Sequence, residues 1–305
     1  MPLISRCGNC SGAACKVAQV NRRRFLALGA GAAAAGVLGA QANGGGVLPA
    51  SGFRHSVTRW PYNQFSLDQL CEMARELGIQ SVELLEPQDW KIPARHGLTC
   101  AMGYATVPYP QTRLTQGFNN LENHSWLIRA YQRAIPLAAA AGVPNLICFS
   151  GNRRAISDNR GRENCARGLA PLLIAARRHG VTLCMELLNS KIDHPDYQCD
   201  HTAWGVALAN QLGSDRFKLL YDIYHMQIMD GDVIATIRAN APHIAHFHTG
   251  GVPGRNEIDD TQELNYRRVM QAIADLGFTG YVAQEFVPKR DPMTSLKQAF
   301  EICDV

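Results

Sequence analysis

Four side chains interrupt apolar runs in the C-terminal half of the sequence, and their types suit acid–base chemistry around a cation. Glu186 lies in Thr-Leu-Cys-Met-Glu-Leu-Leu-Asn, Asp222 in Lys-Leu-Leu-Tyr-Asp-Ile-Tyr-His, His248 in Ile-Ala-His-Phe-His-Thr and Glu285 in Tyr-Val-Ala-Gln-Glu-Phe-Val. Ionised carboxylates are almost never buried unless paired or bound to metal. Three carboxylates and one imidazole make a hard, mostly oxygen donor set suited to Mn²⁺ or Mg²⁺, with positions left open for substrate. Nearby, His225 follows Asp222 by three residues and is expected on the loop beside the site. Arg255, in Gly254-Arg255-Asn256, offers a fork for a carboxylate or a sugar oxygen. Asn189, Lys191 and Asp193 are expected to wall a pocket after Glu186. His55 is a candidate for the pocket floor, and His246 for a satisfied core histidine.

These residues need a scaffold that brings four strand ends together. After Gly52 a short apolar run, a loop, an amphipathic helix and a glycine recur. Strands are predicted at 53–57, 81–85, 98–102, 145–149, 182–187, 217–222, 244–248 and 281–286, each short and apolar as buried parallel strands are. Helices are predicted at 67–77, 121–141, 162–179, 202–212, 233–240 and 263–276. Ser66 with Gln69 and Asp260 with Glu263 have capping-box spacing, and Pro136 is expected to kink the third helix. Eight strand–helix alternations fit either a closed (β/α)₈ barrel or an open doubly wound sheet. The first strand is followed by Thr58-Arg59-Trp60-Pro61-Tyr62, not by the Gly-rich phosphate loop common in open sheets. The expected fold class is α/β, a (β/α)₈ TIM barrel, whose chemistry lies at the C-terminal strand ends.

Charge and cysteine usage narrow the partners. The chain of 305 residues has a formal net charge of +4, but residues 1–42 hold Arg6, Lys16, Arg22, Arg23 and Arg24 and no acid. The remainder carries 25 basic against 26 acidic residues, without the cationic excess that phosphate backbones require. Nucleic acid is therefore not an expected partner, whereas a small molecule is. Arg22-Arg23-Arg24-Phe25-Leu26, a weakly apolar Ala/Gly stretch and Ala40-Gln41-Ala42 have the form of a twin-arginine export signal. The stretch is too short and too rich in glycine for the roughly 20 apolar residues of a membrane span. The expectation is a cleaved leader over 1–42, a single barrel domain over 43–305 and a periplasmic or otherwise exported enzyme, with a homo-oligomer open. The seven cysteines beyond the leader have irregular spacing, which argues against a disulfide framework; Cys71, Cys100, Cys148 and Cys184 are expected as buried apolar residues.

Glu-Leu-Leu-Asn-Ser-Lys-Ile-Asp-His-Pro-Asp-Tyr (186–197), Tyr-Asp-Ile-Tyr-His-Met-Gln-Ile-Met-Asp-Gly (221–231), Pro-Gly-Arg-Asn-Glu (253–257) and Glu-Leu-Asn-Tyr (263–266) resemble the hydroxypyruvate isomerases of the xylose isomerase-like barrel superfamily. That superfamily also holds ketose 3-epimerases and an AP endonuclease. The resemblance spans 53–305 and is strongest from 182 onward. It implies Glu186 and Glu285 as the catalytic pair, Asp222 and His248 completing a divalent-metal site, and His225, Arg255 and Asn189 as substrate contacts. The implied reaction converts hydroxypyruvate to tartronate semialdehyde through an enediolate. One position departs from the pattern: hydroxypyruvate isomerases usually carry Gln where His248 stands, in a setting closer to the sugar epimerases. A ketose 3-epimerase or sugar isomerase is the alternative, and a non-catalytic sugar-binding barrel the alternative of another class.

Overall fold

The computed structural model describes residues 51–305; the leader expected over 1–42 lies outside them. Eight parallel strands run β1 Arg54–Thr58, β2 Ser81–Glu83, β3 Met102–Gly103, β4 Asn145–Cys148, β5 Thr182–Glu186, β6 Phe217–Asp222, β7 Ile244–Thr249 and β8 Tyr281–Gln284. Their order is β2-β1-β8-β7-β6-β5-β4-β3. Single bridges Ser81–Thr99 and Leu85–Gly103 join β2 to the β3 segment and bring the sheet round to a nearly closed barrel. The third strand is thus far shorter than 98–102, because only isolated bridges connect it to β2. The helices are α1 Leu67–Glu76, α2 Ile92–Arg95, α3 His124–Ala141, α4 Asp158–His179, α5 Thr202–Leu212, α6 Ile223–Met229, α7 Val233–Asn240, α8 Tyr266–Asp275 and α9 Pro292–Cys303.

Local chemistry sets these boundaries. Ser66 accepts from the Gln69 backbone N–H while the Gln69 side chain returns to Ser66 N, a full capping box at the start of α1, worth about 1 kcal/mol. The second expected box fails. Asn265, not Asp260, caps α8, accepting from Arg268 N, because Asp259 folds its own Asx turn onto Thr261 N and Oγ1. Ser157 caps α4, which starts at Asp158, four residues before the expected 162. α3 continues through Pro136 to Gly142, whose left-handed φ of 75° ends it. Its buried residues Leu127, Ala130, Tyr131, Ala134, Ile135 and Ala138 follow the i, i+3, i+4 spacing of a face laid on the barrel. All seven cysteines among the described residues are free and buried.

Strand register places the site. Glu186 pairs with Leu220, Asp222 with His248, and His248 with Ala283, so Glu285 stands just past the end of β8. Because side chains alternate, Cys184 and Glu186, Leu220 and Asp222, His246 and His248, and Ala283 and Glu285 share the inner face. His55 falls on the other parity. Its ring meets Phe300 of α9 at 4.7 Å and Phe53 at 5.3 Å, so it lies outside the barrel wall and not on the pocket floor.

Candidate active site

Glu186, Asp222, His248 and Glu285 converge: one ligand atom from each lies within 4.8 Å of all the others, and all four residues are buried. His248 Nδ1 is 2.6 Å from Glu285 Oε2 and 3.5 Å from Glu186 Oε1. Despite that proximity Nδ1 makes no aligned hydrogen bond. An orphaned imidazole nitrogen facing clustered carboxylates is a donor set that fits a hard divalent cation.

Arg255 reaches the same acids from the loop after β7. Its Nη2 donates to Glu285 Oε2 at 2.5 Å and to Asp222 Oδ2 at 2.8 Å. Nη1 lies 2.6 Å from His225 Nε2. The loop is built for this reach. Arg255 adopts a left-handed φ of 56°, at a cost of order 1–3 kcal/mol, and the fold holds it there through Arg255 N to Gly251 O (2.8 Å) and Val287 N to Arg255 O (2.7 Å). A Cβ on Gly251 would come within 2.2 Å of Glu257 O, so only glycine allows the turn to close. Its arms span two carboxylates and an imidazole, and the side chain also lines the cleft beside them.

His225 and Asn189 differ from their expected places. His225 is not on a loop but in the first turn of α6, fully buried, with its N–H donated to Asp222 Oδ1, which caps that helix. Asn189 is fully buried too. Its Oδ1 accepts from Ile192 N and Asp193 N, and its Nδ2 lies 2.7 Å from His225 Nδ1. Both support the site from behind its wall. Lys191 donates to Ile228 O at the end of α6, away from the pocket, whereas Asp193 lines it. His246 is buried and bonded, as a core histidine should be.

Electrostatics separate the two glutamates. Burial, and then Glu285 nearby, raise the Glu186 pKa, an effect partly offset by His248. Burial also acts on Glu285, but the His248 and Arg255 charges overcome it and hold this carboxyl well below the usual range. Asp222 is raised to about 7 by burial, against the pull of Arg255. The surrounding carboxylates outweigh burial at His248 and raise it well above an ordinary imidazole. Burial and the Arg255 charge lower His225 well below its usual value, so it is neutral. Two carboxyls pushed in opposite directions are the arrangement expected of an acid–base pair.

Above the acids opens a cleft of about 450 Å³, walled by Trp60, Leu84, Tyr104, Phe149, Leu188 and His194, with Arg113 at its rim. Trp60 Nε1 donates to Glu285 Oε1 at 2.7 Å, so both oxygens of Glu285 are engaged. Arg113 lies over the Tyr104 ring at 3.8 Å and pairs with Glu86 at 2.5 Å. Sequence reasoning missed Trp60, which opens a single 3₁₀ turn, Trp60–Tyr62, too short to leave a periodic signal. It also missed Glu83, an acid in the apolar run Ser81–Leu85, although the criterion that found Glu186 applies equally there.

Residues 53–303 match the family model described as xylose isomerase-like TIM barrel. The chain belongs to that family. It is 30% identical over 237 residues to the 2-oxo-tetronate isomerase of Cupriavidus necator, covering 75% of this chain and 90% of that protein. It is 24% identical over 256 residues to the hydroxypyruvate isomerase of Escherichia coli, covering 74% of this chain and 90% of that one. Among solved structures, AP endonuclease, family 2, from Brucella melitensis superposes with a TM-score of 0.72 at 24% identity, over 80% of this chain and 97% of that one; at that identity the likeness speaks to fold alone. With relatives so named, the chain is an enzyme of an isomerase family. Among the described residues no helix is long and apolar enough to cross a membrane.

Proposed function

We propose that this protein isomerises a short 2-oxo acid bearing an adjacent hydroxyl, with hydroxypyruvate as the first candidate and tartronate semialdehyde as its product. The observation that carries this reading is the approach of Glu186 and Glu285 to one imidazole nitrogen, at 3.5 and 2.6 Å, beneath an open cleft. The names of the relatives, a hydroxypyruvate isomerase and a 2-oxo-tetronate isomerase, support the substrate class. Glu186, Asp222, His248 and Glu285 would hold the divalent ion, Mn²⁺ or Mg²⁺. When bound, such an ion supplies Lewis acidity to the carbonyl and the neighbouring oxygen.

The protein's own residues do the proton work. Glu285, ionised and fixed by Trp60 and Arg255, takes a proton from C3 of hydroxypyruvate, and the electron pair left behind gives the enediolate. Glu186, the carboxyl biased toward its protonated form, returns a proton to C2 while the C3 hydroxyl proton passes to the C2 oxygen, so that C2 becomes the carbinol and C3 the aldehyde; transfer of a proton from Glu285 to Glu186 then resets the pair. Arg255 does not clamp the substrate in this scheme; it keeps Asp222 and Glu285 in place and offsets their charge. His225 and Asn189 hold Arg255 and the loop after β5.

The cleft of about 450 Å³ is spacious for a three-carbon acid. That observation favours a second reading, in which a longer 2-oxo acid or a ketose is isomerised or epimerised at C3 by the same pair. Turnover of hydroxypyruvate, 2-oxo-tetronate and a ketose panel, after chelation and after Mn²⁺ restoration, tests both. Loss on chelation and recovery with metal on a 2-oxo acid is expected. Turnover of ketoses alone selects the epimerase reading, and stoichiometric binding without turnover selects the sugar-binding barrel.

We also propose that residues 1–42 carry the enzyme out of the cytoplasm. Fractionation of cells making the full chain and an Arg22→Lys/Arg23→Lys variant tests this. Export is expected for the first and cytoplasmic retention for the second; equal distribution contradicts it.

A further inference from the structure

Beneath the four converging side chains lies a second buried group that the proposed reaction does not use. Glu83, on β2 across the barrel from β7, is fully buried. Its Oε1 accepts from His246 Nε2 at 2.8 Å and from His248 Nε2 at 3.0 Å. The imidazoles meet edge to face, 5.2 Å apart at 82°, and His246 stacks on Tyr281 at 6.4 Å and 27°. Glu83 Oε2 has no partner. Hydrogen bonds with these two imidazoles are the only ones made by this carboxylate's side chain among the described residues, and a buried carboxylate with so few contacts is retained at a cost of several kcal/mol if left unpaired.

The two ring nitrogens of His248 therefore face opposite ways. Nε2 points down to Glu83, and Nδ1 points up to Glu285 and Glu186. We infer that Glu83 is the positioning residue for His248: by accepting the Nε2 hydrogen it fixes the ring orientation and leaves Nδ1 to face the catalytic carboxylates and the ion they would hold. The inference rests on the reading of His248 as a ligand. An imidazole that ligates a metal commonly gives its other N–H to a carboxylate, which sets the tautomer and strengthens the donor; loss of such a partner typically weakens metal affinity by about 10–100-fold. His246 shares the acceptor, and its stacking on Tyr281 keeps Glu83 centred between the rings. A purely structural Glu83 would satisfy His246 alone and leave the behaviour of His248 unchanged.

Two measurements on the full chain decide it. The first is ¹⁵N-histidine NMR of the metal-free protein, recorded at a pH high enough for the His248 ring to be neutral, with His248 assigned by comparison with His248→Gln. Wild type is expected to hold the hydrogen on Nε2, Glu83→Ala to lose that pattern, and Glu83→Gln, which keeps an acceptor, to retain it. The second is Mn²⁺ titration calorimetry. Glu83→Ala is expected to bind about 10–100-fold more weakly than wild type, with Glu83→Gln between the two. If Glu83→Ala does not fold, as judged by near-ultraviolet dichroism, Glu83→Gln carries the test through a several-fold loss of Mn²⁺ affinity. Wild-type affinity together with an unchanged His248 spectrum in a folded variant overturns the inference. A wild-type chain without Mn²⁺ affinity overturns the metal reading of the site instead, and the NMR comparison still decides whether Glu83 positions His248.

Discussion

Strands β5, β6 and β7 end in Glu186, Asp222 and the His248–Thr249 pair, and Glu285 follows β8, whereas β1, β3 and β4 end in Thr58, Gly103 and Cys148. Both halves of the barrel have the same alternation and the same buried strands. They differ in what they present to the cleft. The C-terminal half supplies carboxylates and an imidazole held by Arg255, while the N-terminal half supplies mainly aromatic and aliphatic walls from Trp60, Leu84, Tyr104 and Phe149. On the proposed reaction, the difference assigns proton transfer to one half and selection and enclosure of the substrate to the other. Two residues cross the divide: Trp60 reaches Glu285 from the β1 loop, and Glu83 reaches His248 from β2.

Mutations in each half should break different quantities. Glu285→Gln removes the ionised partner of the pair and is expected to lower kcat by about 10²–10⁴-fold with the fold intact, checked by steady-state kinetics and near-ultraviolet dichroism. Arg255→Lys keeps the charge but cannot reach Asp222, Glu285 and His225 together. A fall of about 10–100-fold in kcat/KM is expected, equivalent to about 1.4–3 kcal/mol; wild-type kinetics would show that charge alone suffices. Trp60→Phe removes a hydrogen bond to an ionised group and is expected to lower kcat about tenfold, which would mark Trp60 as part of the proton-moving half despite its place in the chain. Phe149→Leu should alter KM by a few-fold while leaving kcat nearly unchanged, since a small change in an apolar wall costs roughly 1 kcal/mol.

The smallest effect on activity, none, is expected at His55, yet it should be visible in stability. Burial lowers its pKa to about 4, with Asp304 only partly opposing. The unfolded chain takes up this proton near 6.5, and the folded chain does not. The contribution is therefore intact above about 6.5 and is lost as pH falls toward about 4, amounting to about 3 kcal/mol at most. Urea melts of wild type and His55→Leu should differ by a constant amount above about 6.5 and depart from that difference in acid, with the wild type losing more.

The residues that were legible are those placed on strands. Glu186, Asp222, His248 and Glu285 each break an apolar run near its end, and a parallel barrel converts four such positions into one cluster. Sequence also located the capping box at Ser66, Cys71, Cys100, Cys148 and Cys184 as core residues and all eight strands to within a few positions. What escaped depends on loops and parity. Nothing in Gly254-Arg255-Asn256 announces that a left-handed Arg255 lays its fork across two acids at the cleft. His225 was misplaced because Asp222 caps a short helix where the spacing gave only a loop. His55 faced the wrong way by a one-residue shift in the parity of β1, which in a strand exchanges inside for outside. Asp260 lost its cap to the neighbouring Asx turn of Asp259.

The central claim is that Glu186 and Glu285 exchange a carbon-bound proton of a 2-oxo acid with a divalent ion held among the same side chains. Proton NMR of hydroxypyruvate in D₂O, with the Mn²⁺-supplied wild type, Glu186→Gln and Glu285→Gln compared side by side, tests it most directly. Deuterium at C2 of the tartronate semialdehyde as it appears, with both variants slowed by about 10²-fold or more, is the predicted result. Exchange at the wild-type rate in either folded variant, or product formed equally fast after the metal is removed, would contradict the account.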